Sequence, residues 1–126
     1  MAQKSTLLDK SLLFAARIVK LNKYLTKEKH ETIIAKQVIR SATSIGANAN
    51  EAVYGISKAD FIAKLQISLK ETAEPEYCLR LLILSDYITQ KAFVSTNVML
   101  VLLFDKHKKT SMNFIEVLNI LMSSSL

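Results

Sequence analysis

The sequence predicts an all-α fold, an antiparallel up-down-up-down four-helix bundle, on three observations. Only two glycines and one proline occur in 126 residues, whereas a sandwich or barrel of short strands needs a turn signal every ten residues or so. Apolar residues recur at helical spacing in four long segments. The polar connections between these segments are about four to six residues long, which favours antiparallel neighbours.

The first segment runs from about Thr6 to Leu25. At about 100° per residue, Leu8, Leu12, Ala15 and Val19 form one stripe, and Leu7, Phe14, Ile18, Leu21 and Leu25 form a second, with Ser11 and Asn22 between them. A surface helix in a monomeric bundle needs only one such stripe. Two stripes point to a deeply buried helix or a subunit contact, and Leu7, Phe14, Ile18, Leu21 and Leu25 are the expected oligomer interface.

A second helix is expected from about Lys29 to Tyr54, with Ile34, Val38, Ala42, Ile45, Ala49, Ala52 and Val53 as its stripe. Gln37, Arg40, Ser44, Asn48 and Glu51 line up beside that stripe at i, i+3 and i+4 spacings. Gly46 costs about 1 kcal/mol relative to alanine inside a helix. With Ala42, Ala47 and Ala49 it makes this helix thin, so close approach by a neighbour is its expected purpose.

Gly55 offers a helix stop, and Ser57 followed by Asp60 resembles a capping box with Asp in place of Glu. The next stripe, Phe61, Leu65, Leu69, Thr72, Leu79, Ile83 and Tyr87, keeps its phase across Pro75. One helix from Lys58 to about Ile88 is expected, bent where Pro75 lacks an N–H and crowds the Glu71 carbonyl. Ser95 is the expected N-cap of a last helix reaching about Met122. Met99, Leu100, Leu103, Phe104, Phe114, Ile115, Val117, Leu118, Leu121 and Met122 share its broad apolar face, which holds phase through the basic cluster from Asp105 to Lys109.

At 50% hydrophobic and 22% charged residues, the chain can bury a core as one domain over residues 1–126 and lies far from disordered compositions. A single cysteine, Cys78, forms no internal disulfide. The sequence opens without a basic start followed by an apolar run, so a cytoplasmic location is expected. No apolar run is long enough for a membrane span.

The stretch Ile39-Arg40-Ser41-Ala42-Thr43-Ser44-Ile45-Gly46-Ala47-Asn48-Ala49-Asn50-Glu51-Ala52 is the most distinctive in the chain. With Ser57-Lys58-Ala59-Asp60-Phe61-Ile62 and Leu69-Lys70-Glu71-Thr72-Ala73-Glu74-Pro75-Glu76-Tyr77, it closely resembles the four-helix bundle proteins encoded by intervening sequences of bacterial 23S ribosomal RNA genes. The resemblance spans about Leu8 to Leu121. That family is similar in turn to the accessory variability proteins of diversity-generating retroelements, pentameric barrels that bind nucleic acid alongside a reverse transcriptase. The resemblance therefore implies a ring-shaped homo-oligomer, a pentamer, with RNA or DNA and a nucleic-acid enzyme such as a reverse transcriptase as partners. Pro75 stands where the family often has threonine and Cys78 where it often has tryptophan. Arg40, Asn48, Glu51, Glu71 and Glu74 keep the family pattern.

Candidate chemistry is sparse. Glu71 and Glu74 stand at i, i+3, but bundle di-iron sites need Glu-x-x-His, and no such motif occurs. The reading favoured is a structural network in which Arg40 pairs with Glu71 and Glu74, and Ser44, Asn48 and Glu51 complete its hydrogen bonds, since buried charge needs both. His30 and His107 are isolated, with neither set beyond an arginine at the spacing small helical ribonucleases use. Cys78 leads into a leucine run and reads as a packed thiol. Neither a glycine-rich phosphate loop nor a Cys/His metal spacing occurs. No catalytic residue, metal or cofactor is expected.

The net charge is +6 with a pI near 9.5, and it is uneven. Residues 1–54 hold nine Lys+Arg against four Asp+Glu, residues 55–90 four against five, and residues 91–126 four against two. Lys10, Arg17 and Lys20 share a flank of the first helix, with Lys23, Lys27, Lys29 and Lys36 around the following turn. Phosphate contacts need repeated positive charge and little else. The expected function is a non-enzymatic oligomeric bundle that binds RNA or DNA backbone with little sequence preference. The alternative is an assembly or adaptor protein whose apolar stripe meets a protein partner while its lysines only solvate.

Overall fold

The computed structural model describes residues 2–103, with side chains from Leu7 onward. These residues form five helices and no strand: α1 (Ala2–Lys27), α2 (Ile33–Val53), α3 (Lys58–Lys70), α4 (Ala73–Leu84) and α5 (Gln90–Leu102). No helix among them is long and apolar enough to cross a membrane. The arrangement is all-helical, as expected. The expected last helix beyond Leu103, with Phe104 to Met122, the basic cluster and His107, lies outside the described residues.

On α1 the stripe expected at the oligomer interface faces the interior of the chain. Phe14, Ile18 and Leu25 are fully buried within the chain itself. Phe14 and Ile18 pack with Val38, Ala42, Ile45, Cys78, Leu100 and Leu103, and Leu7 and Leu21 flank that cluster. Leu25 joins Ala35, Leu79, Leu82, Ile88 and Phe93 in a second cluster. The expected oligomer interface is therefore core. Leu12 and Val19 of the other stripe are 71% and 36% exposed, and Leu13, which belongs to neither stripe, is 60% exposed, so this side of α1 faces outward. Both stripes are apolar, the buried one with the bulkier side chains, and the direction in which α2 folds back decides between them.

A turn held by Glu31 separates α1 from α2. His30 adopts a left-handed conformation with φ of 54°, and Glu31 donates its N–H to the Leu25 carbonyl at 2.9 Å. Glu31 Oε1 then accepts the Ala35 N–H at 2.9 Å, satisfying an orphan donor at the positive end of the α2 dipole. This carboxylate does the work of an N-cap, because Thr32 makes no side-chain cap bond. Helix α2 thus starts at Ile33, later than expected, and leaves His30 in the turn.

The buried face of α2 is built from small residues: Ala35, Ser41, Ala42, Ala49 and Ala52 beside Val38 and Ile45. Its end is set by Gly55, whose φ is not positive. A Cβ there would meet Asp60 Oδ2 at 3.0 Å and the Phe61 nitrogen at 3.1 Å. Glycine is needed at 55 for close approach and not for a left-handed turn. Ser57 Oγ accepts the Asp60 N–H at 3.0 Å, and Asp60 Oδ2 accepts the N–H of Ile56 at 3.3 Å. The expected capping box is present, with its return bond one residue earlier than usual.

The single bent helix expected from Lys58 to Ile88 is two helices. Without an N–H at Pro75, the Glu71 carbonyl has no i+4 donor, and the chain tightens so that the Thr72 N–H meets the Leu69 carbonyl at 3.1 Å. Pro75 then falls in the first turn of α4, where its missing N–H costs nothing. At the far end the Tyr87 N–H reaches the Leu82 carbonyl at 2.9 Å and the Asp86 N–H reaches Ile83 at 3.1 Å, with Asp86 left-handed at φ 64°. This is a Schellman stop, and it ends α4 at Leu84. The N-cap of α5 is Thr89, whose Oγ1 accepts the Ala92 N–H at 3.1 Å. Ser95, the expected cap, lies inside α5.

Side-chain pairs fix the register between helices. Asn22 Nδ2 donates to the Ala35 carbonyl at 2.9 Å, and Ser11 lies beside Gly46. Ser68 Oγ donates to the Ile45 carbonyl at 2.8 Å, while Lys64 pairs with Glu51 at 3.4 Å. Lys10 Nζ reaches the Leu102 carbonyl at 3.4 Å, and Arg17 donates to Ser95 Oγ. These contacts join α1 to α2, α2 to α3 and α1 to α5.

Gly46 was expected to be required by close packing, but a Cβ there would lie 3.7 Å from Ser11 Oγ and 4.0 Å from its Cβ, which is ordinary contact. Gly46→Ala should therefore stabilise the protein by about 0.5 to 1 kcal/mol through helix propensity. Urea denaturation checks this, and a lower midpoint would show that the α1–α2 seam is tighter than its geometry.

Candidate nucleic-acid interface

The seven candidate phosphate-binding residues separate into two groups. Lys10 and Arg17 face the seam between α1 and α5, where Lys10 contacts the Leu102 carbonyl and half-buried Arg17 holds Ser95. Structural contacts thus occupy two of the three residues expected to form one basic flank. Lys20, Lys23 and Lys27 are exposed on the outward face of α1, and Lys29 and Lys36 are exposed on the turn and the first turn of α2. None of these five is ion-paired to a described residue. The acids nearby in sequence are Glu28, which is exposed, and Glu31, whose carboxylate is turned to the Ala35 N–H.

Helix geometry explains the cluster. At about 100° per residue, Lys20, Lys23 and Lys27 fall within an arc of about 60°, and the rise spaces them about 4.5 and 6 Å apart along the axis. Lysines near a helix C-terminus also complement the carbonyl end of its dipole. Tyr24 lies about 40° outside the arc, on the Lys20 side, and is 41% exposed.

The polar row on α2 does not form the expected network. Arg40 projects from the face opposite the core and is exposed, Glu74 is exposed and Glu71 is half-buried. Among the described residues no ion pair joins Arg40 to either glutamate. Asn48 Nδ2 donates to the Ser44 carbonyl at 2.9 Å and approaches Ser44 Oγ at 3.4 Å, a bond within one helix. Glu51 pairs with Lys64, with the two side chains 60% and 37% exposed. Such pairs contribute little.

The buried polar residues are Ser11, Ser41, Ser68, Thr72, Thr96 and Asn97. Most spend their hydroxyls on the preceding turn of their own helix, as Ser41 does on Val38 and Thr96 on Ala92. Ser68 differs by bonding across to α2. Its place on the stripe between Leu65 and Thr72 was the sequence signal for a buried hydroxyl. Cys78 is buried, and burial together with the nearby Glu74 charge pushes its thiol pKa up. A thiol held neutral is a poor nucleophile. No group of three or more His, Cys, Asp or Glu among the described residues could hold a metal.

Fold and surface together define a small helical protein with a basic outer helix end. The chain belongs to the 23S rRNA-intervening sequence protein family, whose model matches residues 3–106. It is similar to a crystallised protein with unknown function from the S23 ribosomal protein family of Bacteroides thetaiotaomicron. The two share 43% identity over 93% of this chain and 98% of the other, with a TM-score of 0.79. No curated protein matches.

The exposed position of Arg40 sets an expectation opposite to that of a buried network. Arg40→Met should change stability by less than about 0.5 kcal/mol. A loss near 3 kcal/mol in chemical denaturation would restore the buried-charge reading.

Proposed function

We propose that the chain is a single-domain, non-enzymatic cytoplasmic bundle of antiparallel helices. Its copies assemble into a ring-shaped homo-oligomer, and it binds the backbone of RNA or DNA with little sequence preference. One observation carries the binding reading: Lys20, Lys23, Lys27, Lys29 and Lys36 are all exposed and none is ion-paired to a described residue. Glu28 is the one exposed acid within residues 20–36, so the five lysines outnumber it and leave the excess positive charge that phosphate contacts need. The family's link to ribosomal RNA intervening sequences agrees with a nucleic-acid setting.

Assembly is supported by the outward face of α1, where Leu12 and Leu13 are 71% and 60% exposed beside Val19. A pentamer is the state proposed, on the resemblance to the accessory variability proteins. Leu12→Glu with Leu13→Glu should dissociate the oligomer in light scattering while helicity is retained, because neither side chain is in the core. A wild-type monomer at micromolar concentration would remove the assembly proposal.

The binding test is salt dependence. Affinity for a generic RNA or DNA should fall with a log-log slope of about −0.7 to −0.9 per phosphate neutralised. Changing Lys20, Lys23 and Lys27 to glutamine should flatten that slope by about two to three units and weaken all sequences alike. Absence of binding at about 50 mM salt, or an unchanged slope in the triple variant, favours the adaptor reading, in which Leu12 and Leu13 meet a protein partner.

A further inference from the structure

We infer that the lysine-rich end of α1 is a single-strand site, in which Tyr24 stacks on an unpaired base while the surrounding lysines hold the flanking phosphates. The inference rests on the proposed backbone binding and adds the strandedness of the ligand. A purely electrostatic surface binds a duplex at least as well as a single strand, since the duplex carries the denser charge. An aromatic face among the lysines changes that balance, because only a single strand offers a base whose face is free.

Three placements carry it. Tyr24 lies within one helical turn of Lys20, Lys23 and Lys27, and it is 41% exposed although α1 buries Phe14, Ile18 and Leu25 completely. At about 100° per residue it stands about 40° from Lys20 and about 60° from Lys27 around the helix axis, so the ring shares a surface with these two ammonium groups, while Lys23 stands about 100° away. Lys29 and Lys36 extend the positive charge past the ring across the turn to α2. The turn itself is fixed by the Glu31 bonds to Leu25 and Ala35, which hold the two groups of lysines in a set relation. Tyr54 and Tyr77 are more exposed, at 77% and 68%, but neither lies among these lysines.

The probes are an unstructured mixed-sequence strand of about 12 nucleotides and the duplex formed with its complement, titrated into the full chain at about 50 mM salt. The strand should bind more tightly than the duplex. Tyr24→Leu should weaken the strand about tenfold and leave the duplex unchanged, whereas Tyr24→Phe keeps the preference, since stacking needs the ring and not the hydroxyl. Circular dichroism verifies that the variants retain their helices. Equal binding of strand and duplex, with Tyr24→Leu without effect, overturns the stacking site and leaves the backbone reading standing. Binding of neither probe by the wild type overturns both.

Discussion

Small side chains along α2 set the distances at which the rest of the molecule packs. This helix touches α1, α3 and α4, and most of its buried residues are alanine or serine. Ala42 and Ala49 are fully buried, so a leucine at either would overpack the core. The 2.8 Å bond from Ser68 to the Ile45 carbonyl shows how closely α3 approaches this helix. Large side chains come from the surrounding helices: Phe14 and Ile18 from α1, Leu79 and Leu82 from α4, Phe93 and Leu100 from α5. The core follows a knob-and-groove division in which α2 supplies the groove, consistent with the cost of voids and overpacking in dense interiors.

Once that central helix is placed, the turns decide where its neighbours begin. Glu31, Ser57 with Asp60, and Thr89 each satisfy an N–H that the first turn of a helix leaves open. His30 and Asp86 take left-handed backbone at a cost that glycine would avoid. These local bonds and the interhelix pairs point to the same arrangement, which is what makes a short chain with few turn residues fold to one state.

Most of the helical content was legible because period and phase are local properties of the sequence. The capping box at Ser57 and the core positions Val38, Ala42, Ile45, Leu79 and Leu100 follow from them directly. The stripe assignment on α1 does not, because Phe14 and Leu12 are equally good core residues until the path of α2 is known. The row from Arg40 to Glu51 suggested a network because spacing places these residues together along one helix. Whether Glu71 and Glu74 meet them depends on the rotation of α3 and α4, which the break before Pro75 changes. Thr89 was missed as a cap because Ser95 has the same chemistry and phase alone does not choose between them. At the candidate site, the lysines were legible as composition, while the diversion of Lys10 and Arg17 to α5 depends on a contact 78 or more positions away in sequence.

That diversion determines which charges act together. Lys20 to Lys27 span about 10 Å of helix axis, close to the screening length of about 8 to 10 Å at moderate salt, so their fields reinforce one another on one stretch of polyanion. Lys10 lies about 15 Å further along α1, beyond that length, and is held against a backbone carbonyl. The net charge of +6 is therefore a poor guide to how many charges would act together on a strand bound as proposed. The same helix places exposed Leu12 and Leu13 toward its start and the lysines toward its end. Apolar contact is short-ranged and insensitive to salt, whereas the lysine field is neither. Assembly and polyanion binding, as proposed for the two halves of α1, can thus be varied independently.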